Sequence, residues 1–258
     1  MTAQTEPAQI AVMMYTVDAL LDDRLESTLE RIAELGFAGI ETYGLHGHSA
    51  SDYRRAADDV GLTIVSSHAP FPAGLDATLI LDEYAQLGVD TIAWSLEREE
   101  FDTPADLTRG LVRVNEGAEN AAAYGMRIAY HNHFAEFANS FDGRRAYDVL
   151  IDQLDPRVVL ELDMYWAQLG GIPPAEVLSG LGDRVPFVHV KDGAATSYED
   201  DVMVPVGAGT IDMRAALTAN DAVRWHIVEL ERLHIDVFDA LAQSYDFLVG
   251  NGLSKGTK

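Results

Sequence analysis

The sequence predicts a closed barrel of eight parallel β-strands, each followed by an α-helix. Apolar runs typical of buried strands alternate eight times with segments whose apolar residues recur at helical spacing, and such alternation implies a parallel sheet. The order helix, glycine, one or two residues, apolar strand recurs at Gly36, Gly61, Gly88 and Gly125, where glycine ends the helix. The chain has 258 residues, a usual length for an eight-fold α/β barrel.

The individual elements follow from the apolar patterns and their stop signals. The predicted strands cover residues 10–15, 39–43, 62–68, 90–95, 126–131, 158–166, 185–190 and 225–230. The predicted helices cover residues 25–35, 53–60, 75–87, 103–125, 145–154, 173–182, 211–219 and 237–249. In the first helix, Leu25, Leu29 and Ile32 recur at helical spacing. The fourth helix begins at Thr103-Pro104, because the first turn of a helix accepts proline.

The predicted domain organisation is a disordered leader over residues 1–9 and a single barrel domain over residues 10–258. A long, glycine-bearing and acidic loop, residues 191–209, follows the seventh strand. An open doubly wound sheet is the alternative architecture. It is weaker because no Gly-x-Gly-x-x-Gly motif follows the first strand.

Composition restricts the classes of function. The net charge of −24 repels a phosphate backbone, so we expect no nucleic-acid partner. Highly phosphorylated substrates are disfavoured too, although a local basic pocket would override this. No apolar run is long enough to span a bilayer, so we expect no membrane partner. The absence of cysteine excludes disulfides and zinc–thiolate sites and is compatible with a cytoplasmic location, which we predict.

The predicted sixth strand, residues 158–166, carries two acids. Glu161 and Asp163 are two positions apart, so their side chains point to the same side of the strand. Two buried carboxylates are costly unless cations or a metal meet them. The alternative is a strand end at which both acids reach solvent.

Polar residues gather where the other predicted strands end, and in such a barrel these ends form the active-site face. They are Glu41, His68, His131-Asn132-His133, His189, Lys191, Asp192, Glu229 and Glu231. We interpret His226, near the start of its strand, as structural. We interpret Glu231 as a solvent contact at the rim and Asp192 as a residue that holds the following loop. Glu41 contacts substrate or forms a buried pair.

One constellation suits a metal. His131, Asp163, His189 and Glu229 come from successive strands, five to eight. Two neutral imidazoles and two carboxylates carry −2 together, which matches one divalent cation. Mixed nitrogen and oxygen ligands suit Mn²⁺, Co²⁺, Mg²⁺, Fe²⁺ or Zn²⁺.

Four motifs resemble the sugar phosphate isomerase/epimerase family of xylose-isomerase-like TIM barrels. They are Tyr130-His131-Asn132-His133, Leu160-Glu161-Leu162-Asp163-Met164-Tyr165-Trp166, His189-Val190-Lys191-Asp192 and Val206-Gly207-Ala208-Gly209-Thr210-Ile211-Asp212. The resemblance covers nearly the whole chain, and relatives include D-tagatose 3-epimerase, inosose dehydratase and enzymes that act on 3-keto-glycosides.

The resemblance implies a divalent metal, most often Mn²⁺. Asp163, His189 and Glu229 match the family's aspartate, histidine and last-strand glutamate. The fifth-strand ligand, commonly glutamate, is here His131, so either His131 or His133 is expected to fill that role. Trp166 stands where the epimerases carry a substrate-binding histidine.

The implied chemistry is removal of a proton next to a metal-bound carbonyl, which gives an enediolate. Glu229 is the expected ligand and possible base, with His133 or Lys191 as the second proton-transfer group. Lys191 is alternatively a fixed cation that holds substrate oxygens or pairs with Glu161. The expected substrate contacts are Glu41, His68, Glu161, Trp166 and Lys191.

The predicted function is an isomerase or epimerase of a keto-sugar or related carbohydrate. A lyase or hydratase acting on a 3-keto-glycoside or inosose-like substrate is the alternative, and a non-catalytic sugar-binding barrel is the third. Four aromatic residues would either line the sugar site or pack in the protein interior. They are Trp94, Trp166, Phe71 and Tyr15. The Gly207-x-Gly209 amides would meet a phosphate or, more simply, form a turn. A small carbohydrate is the expected partner, and homo-oligomers are possible.

Overall fold

A computed structural model describes residues 6–258 and contains a closed barrel of eight parallel strands. The strands are β1 (Gln9–Met13), β2 (Gly39–Tyr43), β3 (Thr63–His68), β4 (Thr91–Trp94), β5 (Arg127–His131), β6 (Val159–Asp163), β7 (Phe187–Val190) and β8 (Trp225–Val228). Each strand pairs with its neighbours in chain order, and β8 closes onto β1. The predicted fold class is therefore confirmed.

Helices surround this barrel in the described part of the chain. The α-helices are α1 (Leu21–Leu35), α2 (Ala50–Asp59), α3 (Ala77–Leu87), α4 (Pro104–Ala123), α5 (Ala135–Ala138), α6 (Ala146–Gln153), α7 (Met164–Leu169), α8 (Pro174–Leu181), α9 (Met213–Leu217) and α10 (Val237–Gly250). Four 3₁₀ helices cover Met14–Leu20, Gly74–Asp76, Arg98–Phe101 and Gly182–Arg184, and a two-stranded hairpin pairs Ser140–Phe141 with Arg144–Arg145. The short helices α5 and α7 were not predicted.

Four strand predictions extend past the observed carboxyl ends, the fourth by one residue, the first and eighth by two and the sixth by three. The sixth strand ends at Asp163, and Met164, Tyr165 and Trp166 form the first turn of α7. The Asp163 side chain caps this helix, because its Oδ1 accepts the Trp166 N–H at 2.9 Å. Tyr15 lies in the 3₁₀ helix that follows β1 instead of in the strand.

The predicted leader extends over residues 1–9, of which residues 1–5 lie outside the described part. Gln9 is already the first residue of β1. The Lys255 N–H donates to the Ala8 carbonyl at 2.9 Å, so the carboxyl-terminal segment contacts this end of the strand. The single-domain organisation stays a prediction.

The interior of the barrel changes from apolar to polar along the strands. The apolar layer consists of Ala11, Met13, Val65, Ala93, Ala129, Phe187 and Ile227. Alternate residues of a strand face the same way, so His131 follows Ala129 into the interior and His189 follows Phe187. The carboxyl end of the barrel interior is therefore lined by imidazoles and carboxylates, above small and apolar side chains.

Candidate metal and substrate site

Strand register places the predicted site residues side by side. Asp163 of β6 is the Cα partner of His189 of β7, and His131 of β5 is the partner of Glu161. All four side chains are buried. The alternative in which Glu161 and Asp163 reach solvent is therefore wrong.

Asp163, His189 and Glu229 form one group whose ligand atoms all lie within 4.8 Å of one another. His189 Nδ1 lies 2.6 Å from Glu229 Oε2. These are the three residues that match the family motif, and the barrel brings them together from β6, from β7 and from just beyond β8.

His131 belongs to a second, adjoining group instead. That group consists of His68, His131, Glu161 and His189, again within 4.8 Å. Glu161 Oε2 lies 2.8 Å from His68 Nε2 and 3.1 Å from His131 Nδ1. His131 Nε2 still lies 3.9 Å from Asp163 Oδ2. His189 is shared by both groups, so the predicted set of four ligands divides between two adjoining clusters.

Lys191 is buried among carboxylates. Its Nζ lies 3.0 Å from Asp163 Oδ2, 3.0 Å from Glu229 Oε2 and 2.8 Å from Glu231 Oε1. The described ion pairs of Lys191 do not include Glu161, so the alternative in which these two residues pair is wrong. Glu231, interpreted as a solvent contact, is only 21% exposed at its side chain and holds this ammonium.

These contacts decide which groups carry charge. Burial lowers the pKa of Lys191, but Asp163, Glu229 and Glu231 outweigh it and hold that pKa well above its ordinary value. The same balance applies to His189, where burial is outweighed by Glu161, Glu41 and the bond to Glu229, so its pKa is also well raised. Lys191 is therefore a fixed cation, and a protonated His189 balances its carboxylates when no metal is bound.

Two of the other three histidines at the site, His131 and His133, remain neutral. Burial, reinforced by the charge of His189, lowers the pKa of His131 well below its ordinary value. Burial and the charge of Lys191 lower the pKa of His133 to about 3. A neutral imidazole is the form that binds a metal or exchanges hydrogen bonds with a substrate.

Glu41 forms the buried pair that was one of its two interpretations. Its Oε2 lies 2.6 Å from His189 Nε2, and its Oε1 accepts the Ser66 hydroxyl at 2.7 Å. Burial raises the pKa of Glu41, but His68 and His189 outweigh it and bring the pKa to about 2. Burial and the charge of Glu41 raise the pKa of Glu161 to about 7.

A cavity of about 270 Å³ opens beside this cluster. Its lining includes His68, His131, His133, Lys191 and Glu229. Of the aromatic residues expected to wall a sugar, Tyr15, Trp94 and Trp166 line it, whereas Phe71 packs in the apolar core. Of the expected substrate contacts, His68, Trp166 and Lys191 line it, whereas Glu41 and Glu161 do not.

Two interpretations outside the cluster are confirmed. His226 is buried near the start of β8, where its Nδ1 lies 2.8 Å from Ser254 Oγ. Asp192 holds the loop after β7, because its carboxylate accepts the N–H groups of Gly207 at 2.9 Å and Gly209 at 3.0 Å. Those two amides are committed to Asp192, which supports the turn over the phosphate contact. A Cβ at Gly209 would collide with Asp192 Oδ1.

Comparison with known proteins decides the family. The family model described as xylose isomerase-like TIM barrel matches residues 29–248. The chain belongs to this family.

Relatives of this xylose isomerase-like barrel include an inosose dehydratase from Geobacillus kaustophilus (strain HTA426). It is 30% identical over 105 residues, which is 40% of this chain and 32% of that protein's length. A sugar phosphate isomerase/epimerase from Parabacteroides distasonis ATCC 8503 superposes with a TM-score of 0.79 at 20% identity. The superposition covers 96% of this chain and 100% of the Parabacteroides chain. The IOLI protein with a bound zinc atom gives a TM-score of 0.70 at 18% identity, covering 95% and 98% of the two chains.

The residues of this xylose isomerase-like barrel fit a divalent metal. Glu161 Oε1 and Asp163 Oδ2 are buried and make no hydrogen bond among the described residues, although Lys191 Nζ lies 3.0 Å from the latter. A buried carboxylate oxygen without any partner, such as Glu161 Oε1, is costly, and a cation would satisfy it. Imidazole nitrogens and carboxylate oxygens are the donors that such metals take in proteins.

Sequence reasoning missed two features of the site. His68 joins Glu161 across the barrel from β3, although the two are 93 positions apart, and no local motif signals that contact. Glu136 is buried and accepts the Tyr130 hydroxyl at 2.9 Å and the His133 N–H at 3.1 Å. Burial raises its pKa to about 8. Glu136 follows His133 by three residues, and this spacing could have indicated a residue that fixes the loop.

The described residues include no helix that is both long and apolar enough to cross a membrane.

Proposed function

We propose that this protein is a divalent-metal-dependent isomerase or epimerase of a keto-sugar or a related carbohydrate. The observation that supports this most is the convergence of Asp163, His189 and Glu229 within 4.8 Å, beside a cavity with aromatic walls. We propose Mn²⁺ as the metal, because it accepts mixed nitrogen and oxygen ligands.

The cation, when bound, would polarise the substrate carbonyl and offset the negative charge that develops after proton loss. Asp163, His189 and Glu229 are the proposed ligands, with His131 in reach from the adjoining cluster. Glu229 also lines the cavity, and Lys191 and His189 outweigh burial and keep its pKa low. Glu229 is therefore ionised and able to accept the proton next to the carbonyl.

Two neighbours complete the proposed proton transfer. Lys191 stays protonated, so its part is that of a fixed cation that orients substrate oxygens and Glu229, not that of a base. His133 lines the cavity as a neutral imidazole, and we propose it as the second proton-transfer group, which would relay a proton to the enediolate. Trp94, Trp166 and Tyr15 would cover the apolar face of the sugar and exclude water.

A lyase or hydratase is the second candidate. The observation that favours it is His131 at the fifth-strand position, because the resemblance implies that an epimerase carries a glutamate there as a carboxylate base on the second face of the substrate. Proton abstraction would then be followed by loss of a β-oxygen. Similarity to an inosose dehydratase over part of the chain supports the same alternative.

Incubation with a panel of keto-sugars in D₂O, followed by NMR, tests the proposal. We expect deuterium next to the carbonyl with an intact carbon–oxygen skeleton, and loss of that exchange in EDTA and in Asp163→Asn. The exposed Asp152→Asn is the matched control and should exchange normally. An enone product would select the lyase. Sugar binding without exchange or turnover would select the non-catalytic barrel, and turnover that resists EDTA would contradict the metal.

A further inference from the structure

A groove of about 850 Å³ adjoins the site cavity and is much larger than it. Tyr15, Trp166, Tyr198 and Glu231 line both spaces. The groove extends from this shared boundary between the segment after β1, the segment after β8 and the start of α10. The cavity alone lies at the small end of ligand pockets, which run from roughly 300 to 1,000 Å³. Cavity and groove together have room for more than one sugar ring.

The acids of the groove are mostly committed to partners within the protein. Asp18 Oδ1 lies 3.4 Å from His46 Nε2. Asp236 caps α10, because its Oδ1 accepts the Phe238 N–H at 2.9 Å. Glu231 holds Lys191. Glu199 is the remaining acid among the lining residues and is exposed.

Two of the three arginines that line the groove have no such partner among the described residues. Arg24 and Arg31 are exposed on α1 and line the groove, and neither has a carboxylate partner in the described part of the chain. Arg31 stacks its guanidinium 4.0 Å above the ring of Phe238, which fixes the side chain while its N–H edge stays free. Arg232 ties the groove to the loop after β7, because its Nη1 donates to the Tyr198 carbonyl at 2.7 Å.

Among the described residues that line the groove, Arg24 and Arg31 are therefore the arginines whose guanidinium groups are available to a ligand. We propose that the substrate has two parts: a reacting sugar in the cavity and a second part in the groove that carries an anionic group, carboxylate or phosphate, bound by Arg24 and Arg31. This inference rests on the proposed function, since it describes the substrate of that site. Bidentate recognition of carboxylate and phosphate is what the guanidinium group does best.

Calorimetry with matched disaccharides tests the groove without requiring turnover. The probes are lactitol against lactobionate for the carboxylate, because both carry the same open-chain second unit, and trehalose against trehalose 6-phosphate for the phosphate. We expect at least one acid to bind about fivefold more tightly than its neutral twin, as one or two solvent-exposed ion pairs provide. Arg24→Gln/Arg31→Gln should remove this preference, and the exposed Arg214→Gln should keep it. The acid that binds more tightly than its neutral twin identifies the anionic group as a carboxylate or a phosphate.

Equal binding of acid and neutral twin, absence of binding by both acids, or a preference that survives Arg24→Gln/Arg31→Gln would overturn the inference. Circular dichroism of the double variant separates loss of the subsite from loss of the fold. If wild-type protein shows metal-dependent deuterium exchange but no preference for an acid, the groove inference fails alone. If it shows the preference but no exchange with any carbohydrate, the proposed function fails and the anion subsite stands.

Discussion

Lys191 Nζ lies 3.0 Å from Asp163 Oδ2, and both side chains are buried. Asp163 is a proposed metal ligand, so a fixed ammonium and a divalent cation would approach the same carboxylate oxygen. Glu229 meets the ammonium at 3.0 Å as well. Lys191 therefore neutralises the ligand set when no metal is bound and sets how strongly that set attracts a metal.

Lys191→Met tests this relationship. In EDTA, we expect the free energy of unfolding to fall by about 3–5 kcal/mol, because the variant leaves buried carboxylates without their cation. Added Mn²⁺ should restore much of the loss, since the metal binds the folded state only. Urea denaturation with and without Mn²⁺ measures both effects. Lys255→Met, which removes an exposed pair with Glu6, is the control and should change stability by less than about 1 kcal/mol. A Lys191→Met protein as stable as wild type in EDTA would contradict this account.

Metal affinity should depend on pH. Because the carboxylates outweigh burial and raise the pKa of His189, a metal must displace a proton from this ligand. We therefore expect affinity to weaken as pH falls, by roughly tenfold per pH unit for each proton released. Calorimetric titration with Mn²⁺ at pH 6, 7 and 8 measures this slope. Equal affinity at all three values would exclude His189 as a protonated ligand of the metal-free protein.

His226 should make stability depend on pH independently of the metal. Burial lowers its pKa to about 4 in the folded protein, against about 6.5 for an unperturbed imidazole. Between these values the unfolded chain binds more protons, so the contribution is fully present above pH 6.5 and is lost as pH falls toward 4. The expected slope is at most about 1.4 kcal/mol per pH unit.

The test compares urea denaturation across pH 4.5 to 7 for wild type and His226→Gln, with the exposed His234→Gln as control. We expect a shallower slope for His226→Gln only. Parallel slopes for all three proteins would show that this imidazole does not stay neutral in the folded state.

Asp192→Ala should loosen the loop between β7 and α9. Asp192 accepts four backbone N–H groups, those of Gly193, Gly207, Gly209 and Ile211, and the variant leaves them without an acceptor. We expect a loss of about 2–4 kcal/mol in the free energy of unfolding.

Limited proteolysis of the same variant should show faster cleavage within residues 193–211. Asp200→Asn, on the exposed part of this loop, is the control and should be cleaved like wild type. A rate of cleavage that does not change in Asp192→Ala would mean that other contacts hold the loop.

The barrel was predictable because its signals are local. Helix-ending glycines such as Gly36 and Gly88 adopt the left-handed conformation in the structure, which glycine favours, and apolar runs separate them. The end of the sixth strand was not predictable in this way. Met164, Tyr165 and Trp166 continue an apolar run, and such a run has no period that separates strand from helix. The capping potential of Asp163 was the missed local signal.

The sequence predicted which residues form the site better than it predicted which of them contact one another. Strand alternation already placed Asp163, His189 and Glu229 at one end of the barrel. Which imidazole meets which carboxylate depends on register and on contacts across the barrel, such as that between His68 and Glu161. Charges within the cluster also influence one another. The role of Lys191 as a fixed cation could therefore be recognised only from the distances to its carboxylate neighbours.

Anomalous diffraction from crystals soaked in MnCl₂ tests the central claim most directly. We predict one strong peak with ligand distances of roughly 2.0–2.3 Å to Asp163, His189 and Glu229, as first-row divalent metals show in proteins. A peak that touches none or only one of these residues, or no peak at saturating Mn²⁺, would contradict it.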